Sequence, residues 1–275
     1  MSPLDSNALA HELMAAYASR QIVPLPPSSR DASFDLAAAY AVEAELARLR
    51  RASGHATVGL KVGFANRAVW RALKLETLVW AHMYDDTVRY ADHNTASLAI
   101  GRMCSAKIEP EIVFKMRKPA DPGVVEAAAV LDSVEWLALG FEIIDCVYPD
   151  WQFQPVDFVA AYGLHAALVV GDPRPVGPEI IPALVEQLPR FKVSLLRDGH
   201  LTAEGSGRNS LRSPALCLAE LAAAISRRPG GEPLGAGALV SSGTLTESQP
   251  VAVGQTWVAS IEGLDVADLT LQTVA

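Results

Sequence analysis

Lys107-Ile108-Glu109-Pro110-Glu111-Ile112-Val113-Phe114 reads as a β-strand. Successive side chains on a strand point to opposite faces. Lys107, Glu109, Glu111 and Val113 therefore share one face, while Ile108, Pro110, Ile112 and Phe114 share the other. Two carboxylates on an otherwise ordinary strand face are very costly to bury uncompensated, so that face is expected to meet either solvent or a cation. The strand is expected over residues 105–116. Pro110 lacks a ladder donor there, which points to an edge, a strand end or a bulge.

A second strand is expected over residues 136–146, where Glu142 shares a face with Ala138, Gly140 and Ile144. A carboxylate among such small and apolar neighbours needs a partner. Residues 57–64 form a shorter strand in which Gly59 and Gly63 flank Lys61. The glycines permit close approach of backbone or ligand. The lysine either snorkels to water from a strand end or serves a site.

Apolar spacing predicts a helix over residues 6–20, stopped by Pro24, Pro26 and Pro27, and a long helix from Asp35 to Gly54 with Glu43 and Glu45 on a solvated face. Asn66 caps a helix through Leu73, Met83-Tyr84-Asp85-Asp86 opens a loop before a strand near residues 87–90, and a helical stretch falls near residues 124–131. His165, inside the apolar run 157–171, reads as a hydrogen-bonded core histidine. Asp198-Gly199 predicts a hairpin. Ser213-Pro214 starts a helix running toward Gly230, residues 229–237 form a connector, and the tail from Leu234 is β-rich. Strands and helices without regular βαβ alternation predict an α+β fold with a mainly antiparallel or mixed sheet. Residues 1–275 are expected to form a single catalytic domain with an N-terminal helical portion at about 1–55.

A chain of 275 residues, 50% apolar and 20% charged, can bury a large core. Its net charge of -8 argues against broad binding to nucleic acid or anionic lipid. A small anionic substrate is still compatible, because a few cations or a metal reverse the potential inside a cleft. Cys104, Cys146 and Cys217 are odd in number and lack Cys-x-x-Cys spacing, as expected of a reduced, cytoplasmic protein. Residues 1–5 show no basic leader, and no apolar run approaches the ~20 residues of a membrane span, so no membrane association is expected.

Three carboxylates from two strands, without a cysteine pair or His-rich motif, describe an all-oxygen site suited to Mg²⁺, Mn²⁺ or Ca²⁺. The first two are preferred where open positions must remain for water and substrate. On the residues alone, a solvated strand face is the favoured account of the Glu-x-Glu pattern. Ser241-Ser242-Gly243-Thr244 lacks the Gly-x-Ser-x-Gly elbow. Gly205-Ser206-Gly207 and Gly235-Ala236-Gly237 lack a Walker lysine or dinucleotide fingerprint. Cys104 reads as a packed thiol rather than a nucleophile.

Taken in order, Gly59-Leu60-Lys61-Val62-Gly63, Ile108-Glu109-Pro110-Glu111-Ile112-Val113-Phe114, Phe141-Glu142-Ile143-Ile144-Asp145 and residues 237–246 resemble the 2-keto-4-pentenoate hydratase and 4-oxalocrotonate decarboxylase family, within the fumarylacetoacetate hydrolase superfamily. The resemblance covers nearly the whole chain. It implies a mixed β-roll of the fumarylacetoacetate hydrolase C-terminal type with flanking helices, assembled as a homo-oligomer. It also implies Mg²⁺ or Mn²⁺ held by Glu109, Glu111 and Glu142, with Lys61 at the substrate site for carboxylate pairing or proton transfer. Asp85 would orient Lys61 or a water, and Thr244 would bind the substrate carboxylate.

The implied reaction adds water to a 2-hydroxypenta-2,4-dienoate-like acid to give a 4-hydroxy-2-oxo acid in aromatic-compound catabolism. A 4-oxalocrotonate-type decarboxylase is the nearest alternative, and a non-catalytic small-acid binder or partner subunit of a paralogous enzyme is another. A carbon–carbon bond hydrolase is less expected, since no His/Glu dyad stands out. Tyr162-Gly163-Leu164-His165 stands where many hydratases have an Asn-Ala-Ser type sequence, so contacts on that side of the pocket are expected to differ.

Overall fold

The computed structural model describes residues 4–228 and 230–275. The leader reading at residues 1–3 and the connector's first residue, Pro229, lie outside the described residues. The chain opens with helices α1 (Ser6–Ser19), α2 (Pro27–Arg30) and α3 (Leu36–Ala52), then β1 (Thr57–Gly63), α4 (Arg67–Leu73), β2 (Val79–Tyr84), β3 (Val88–Tyr90) and β4 (Thr95–Ala99). Its middle holds β5 (Ala106–Met116), α5 (Ala127–Leu131), β6 (Val134–Asp145), α6 (Pro155–Ala160), β7 (His165–Val170), β8 (Arg174–Pro175) and α7 (Ile181–Gln187). The remainder is β9 (Lys192–Arg197), β10 (His200–Ser206), α8 (Pro214–Ser226), β11 (Leu239–Ser241), β12 (Gln249–Pro250), β13 (Thr256–Glu262) and β14 (Leu269–Val274).

Among the described residues, the larger sheet has nine strands, in the order β2-β1-β11-β5-β6-β7-β3 with β12 on β5 and β8 on β6. The smaller has five, in the order β10-β9-β13-β14-β4. Parallel pairs β1–β11, β3–β7 and β4–β14 interrupt an otherwise antiparallel pattern, giving the mixed roll with flanking helices. Asp198 and Gly199 both have positive φ in the two-residue turn of the β9–β10 hairpin, as that turn demands.

Strand β5 is the spine of the larger sheet. Along one side it pairs with β6 over its whole length, and along the other β11 covers Val113 to Lys115 and β12 covers Lys107 and Ile108. Between β11 and β12 no strand lies against β5, and this gap explains Pro110. Its carbonyl accepts from Leu245 N at 2.9 Å, and N and O of one strand residue point the same way, so the missing donor faces the gap and not β6. The expected edge is therefore internal to the sheet, and the segment between β11 and β12 closes over it.

The face bearing Glu109 and Glu111 continues across the sheet through Lys61, Ser241, Gly140 and Glu142. Further along that same face lie Met83, Val113, Ala138, Leu168, Val170 and Leu239, a buried apolar cluster of its own. One sheet face thus has a charged end and an apolar end.

Helix α3 starts where Asp35 caps Ala38 N at 2.9 Å and buries Ala39, Val42 and Leu46. Glu43 corrects the solvated-face reading, because it is only 4% exposed. Its Oε1 accepts from the backbone N of His82 at 3.0 Å and lies 2.6 Å from His82 Nδ1, tying α3 to β2. Helix α8 starts at Pro214 as expected, but the buried Ser213 hydroxyl makes no capping bond, and the helix ends at Ser226. Among the described residues no helix is long and apolar enough to cross a membrane.

Asp157 secures the wall beside the charged end of the sheet. It is fully buried and accepts from Ser28 N at 2.8 Å, Ser28 Oγ at 2.6 Å and Gln154 N at 2.8 Å, binding α2 to the start of α6. Asp157→Ala strands three donors and is expected to cost about 2–4 kcal/mol. A fall in the urea midpoint with unchanged slope is the check.

Candidate active site

Glu109, Glu111 and Glu142 each offer an oxygen within 4.8 Å of the others. The β5–β6 register places Glu109 directly across from Glu142 and Glu111 across from Gly140, so two carboxylates come from one strand and the third faces them from its neighbour. Glu111 and Glu142 are buried, and Glu109 is partly open to a cavity of about 280 Å³. A larger hollow of about 430 Å³ opens around Leu60, His82 and Glu232 on the opposite face of β1, beyond reach of these carboxylates.

Lys61 does not snorkel. It is 2% exposed, and its Nζ donates to Gly163 O at 2.9 Å. The same Nζ lies 3.1 Å from Glu142 Oε2, an ion-pair distance, although that oxygen receives no aligned hydrogen bond. The ammonium also sits 4.7 Å over the Phe158 ring. Two glycines make this packing possible. A Cβ on Gly63 would lie 2.4 Å from the Phe158 ring, and one on Gly163 would lie 2.9 Å from Lys61 Cδ. Tyr162, Gly163 and Leu164 all have positive φ, a strained turn that presents the Gly163 carbonyl to the lysine.

Each buried carboxylate has one oxygen tethered by the chain. Glu111 Oε2 accepts from Ser241 Oγ at 2.5 Å and Gly243 N at 2.8 Å. Glu142 Oε1 lies 3.0 Å from His165 Nδ1. The other oxygens, Glu111 Oε1 and Glu142 Oε2, are buried without hydrogen-bond partners. Burial pushes the Glu109 carboxyl up to about 7, with Lys61 opposing and Glu142 adding to the rise. Burial also drives Glu111 well above the usual carboxylate range, helped by Glu142 and Glu109. At Glu142 burial acts in the same direction but is outweighed by Lys61 and then His165, so its carboxyl is lowered. Three carboxylates facing one ammonium cannot all stay ionised without further positive charge, and two of their oxygens are orphaned, so a divalent cation would satisfy both deficits.

The structure brings Lys61, Glu109, Glu111 and Glu142 together, with Thr244 on the cavity wall. The Thr244 hydroxyl donates to Thr246 O at 2.8 Å, so it must leave that bond before it can donate to a ligand. Asp85 is not part of the cluster. Ala81 is the residue across from Lys61, so Asp85, just past the end of β2, lies roughly 13 Å along the strand at about 3.3 Å per residue. Its carboxylate faces His55 Nδ1 at 3.3 Å and is about half exposed, which corrects the expectation that it orients Lys61.

Sequence reading missed Ser241, Gly243 and the Gly163 carbonyl, whose roles depend on pairing partners distant in the chain. It also passed over a histidine–glutamate pair, His165–Glu142. Both ring nitrogens of His165 are engaged, Nε2 lying 2.9 Å from Thr87 Oγ1, so neither is left to activate water.

No family model matches the chain. It is 30% identical over 264 residues to 2-keto-4-pentenoate hydratase 1 of Dechloromonas aromatica, covering 96% of this chain and 95% of the relative. It is 28% identical over 231 residues to 2-hydroxyhexa-2,4-dienoate hydratase of Comamonas testosteroni, covering 84% of each. Its fold superposes on that of 4-oxalocrotonate decarboxylase from Pseudomonas putida G7, solved with magnesium and adipate, with a TM-score of 0.86 and 23% identity over 98% of this chain and 97% of that one. With this length of shared sequence and the matching mixed roll, the chain belongs to the 2-keto-4-pentenoate hydratase and 4-oxalocrotonate decarboxylase family.

Proposed function

We propose that the protein is a divalent-metal-dependent hydro-lyase that adds water to a 2-hydroxypenta-2,4-dienoate-like acid, giving a 4-hydroxy-2-oxo acid, with residues 1–275 acting as one catalytic domain. The observation that carries this reading is the cluster of Glu109, Glu111 and Glu142 at the cavity floor, with two orphaned oxygens and Lys61 beside them. Mg²⁺ or Mn²⁺ held by these three carboxylates would supply Lewis-acid polarisation of a 2-oxo acid.

The chain's own residues do the rest. Lys61 has three protons to donate. One goes to Gly163 O and a second faces Glu142, which leaves one for the carboxylate or a reacting oxygen of a bound acid. The cavity carries Phe64, Trp151, Phe153 and Phe158 on its wall, and these rings exclude water from all but the reacting end. Lys61 is the one cation among the described residues that line it. That lining suits a monocarboxylate with an apolar tail better than an enedioate carrying a second carboxylate, which favours hydration over decarboxylation.

The test is an assay of metal-depleted protein, resupplied with Mg²⁺ or Mn²⁺, against 2-hydroxydienoic and 2-oxo-enedioic acids. The expected product is a 4-hydroxy-2-oxo acid formed without CO₂ and only in the presence of metal. Stoichiometric CO₂ from an enedioate would establish the decarboxylase instead, and no turnover of either class would leave the non-catalytic binder.

A further inference from the structure

The tethers on the buried carboxylates do more than hold them in place. We propose that His165, together with the turn at Ser241 and Gly243, makes Glu142 and Glu111 one-oxygen ligands, and that this tethering sets a preference for a small six-coordinate divalent cation over calcium. The proposal rests on the reading of Glu109, Glu111 and Glu142 as metal ligands.

The direction of each hydrogen bond follows from counting protons. Thr87 Oγ1 donates its single proton to Tyr84 O at 2.9 Å and accepts from Tyr84 N at 3.1 Å. His165 Nε2, 2.9 Å from the same oxygen, must therefore be the donor in their bond. The far side of the ring is thus pinned to the backbone at the end of β2. On the near side Nδ1 shares a proton with Glu142 Oε1 at 3.0 Å. A register shift between Ile143 and Ile144 in the β6–β7 pairing brings His165 across from Ile144, and a bulge of this kind re-aims a side chain. With its side chain 1% exposed and both nitrogens bonded, the ring cannot turn away without stranding buried polar atoms.

Glu142 is therefore left with Oε2, and Glu111, bound through Oε2 by Ser241 and Gly243, is left with Oε1. Glu111 Oε2 already takes two donors, so Glu111 cannot close on a cation with both oxygens unless it gives up a buried hydrogen bond, and Glu142 can do so only by swinging Oε1 off the line of His165 Nδ1. Calcium takes six to eight oxygens at about 2.3–2.6 Å and often uses carboxylates in pairs of oxygens. Magnesium takes six at about 2.0–2.1 Å, keeps waters, and needs few protein oxygens. A site whose two buried carboxylates are limited to one oxygen each meets the second requirement and starves the first. His165 is a positioning residue in this account, since it acts through Glu142.

Binding to the metal-depleted full chain tests this, with Mn²⁺ followed by electron paramagnetic resonance and Ca²⁺ by titration calorimetry. His165→Ala is expected to weaken Mn²⁺ binding about tenfold while Ca²⁺ binding holds or improves, so the Mn²⁺-to-Ca²⁺ affinity ratio falls by about tenfold or more. His165→Gln, which keeps a donor beside Glu142, should restore most of the ratio. Thr87→Val loosens only the far side of the ring and should shift the ratio in the same direction by less, which provides a second reading if the alanine variant folds poorly. Equal losses for both ions, or an unchanged ratio in every variant, would overturn the proposal and leave the three-carboxylate site standing. A native chain that binds neither ion at millimolar concentration would remove the site itself.

Discussion

Glu142→Gln is expected to lower metal-dependent turnover about a thousandfold or more and to leave the fold intact. Glutamine keeps the volume of the side chain, so packing in the fully buried position survives. What changes is charge and bonding. The orphaned Oε2 loses its anionic character, and an amide nitrogen placed there would point protons at the Lys61 ammonium now 3.1 Å away. Placed the other way, the amide nitrogen meets His165 Nδ1 and disrupts the bond that orients the ring. Removing one of three crowded carboxylates also relieves repulsion on Glu109 and Glu111, both of which Glu142 pushes upward. Loss of the Lys61 pair and relief of that repulsion oppose each other, so the metal-free variant should melt within a few degrees of the native chain. Turnover at saturating Mg²⁺ or Mn²⁺, read beside the melting temperature, decides it. Native activity in a folded Glu142→Gln variant would remove this residue from the site.

Much of this site was legible because strand geometry is periodic. Alternation alone puts Glu109 and Glu111 on one face, and the structure keeps them there together with Glu142 across the ladder. The neighbours of Glu142 on its own strand, Ala138 and Gly140, announced a buried carboxylate before any partner was known. Register was not legible. Nothing local in Ser241 or Gly243 says that they will tether Glu111, because that contact depends on β11 ending against β5 at Val113. Pro110 shows the same limit, since a missing donor marks a gap beside the strand without saying whether the gap is at the rim or inside the sheet.

The errors have a common cause. Glu43 looked solvated because its helix carries several charges, yet β2 brings His82 against it. Asp85 looked well placed because the family resemblance implies an acidic residue after the Asn66 helix, but the antiparallel pairing of β1 with β2 carries it toward Thr57, away from Lys61. His165 was read as a hydrogen-bonded core histidine, which it is, while the identity of its partner lay in a register shift. In each case local pattern determined the element and long-range pairing determined the contact.

Lys61→Met separates the lysine's two roles. The substitution keeps an unbranched apolar stem against Phe158 and removes the ammonium, so turnover is expected to fall about a hundredfold to a thousandfold, within the range typical for loss of a positioned proton donor. Metal affinity should move the other way or hold, because the ammonium now occupies the neighbourhood of Glu142 Oε2, the oxygen a cation would need. The metal-free variant should also be less stable by about 3–5 kcal/mol, the usual result of removing one partner from a buried ion pair. Added Mg²⁺ or Mn²⁺ should recover that loss, since a ligand that binds only the folded chain stabilises it by mass action. The three readouts diverge only if Lys61 is both the counter-charge of the cluster in metal-depleted protein and a donor to the substrate. A residue that served packing alone would lose stability without metal rescue and keep its turnover. A residue that merely held Glu142 for the metal would lose affinity and turnover in step. Turnover, Mn²⁺ affinity and urea midpoint with and without metal, measured on the one variant, therefore distinguish the three, and normal turnover would take Lys61 out of the chemistry.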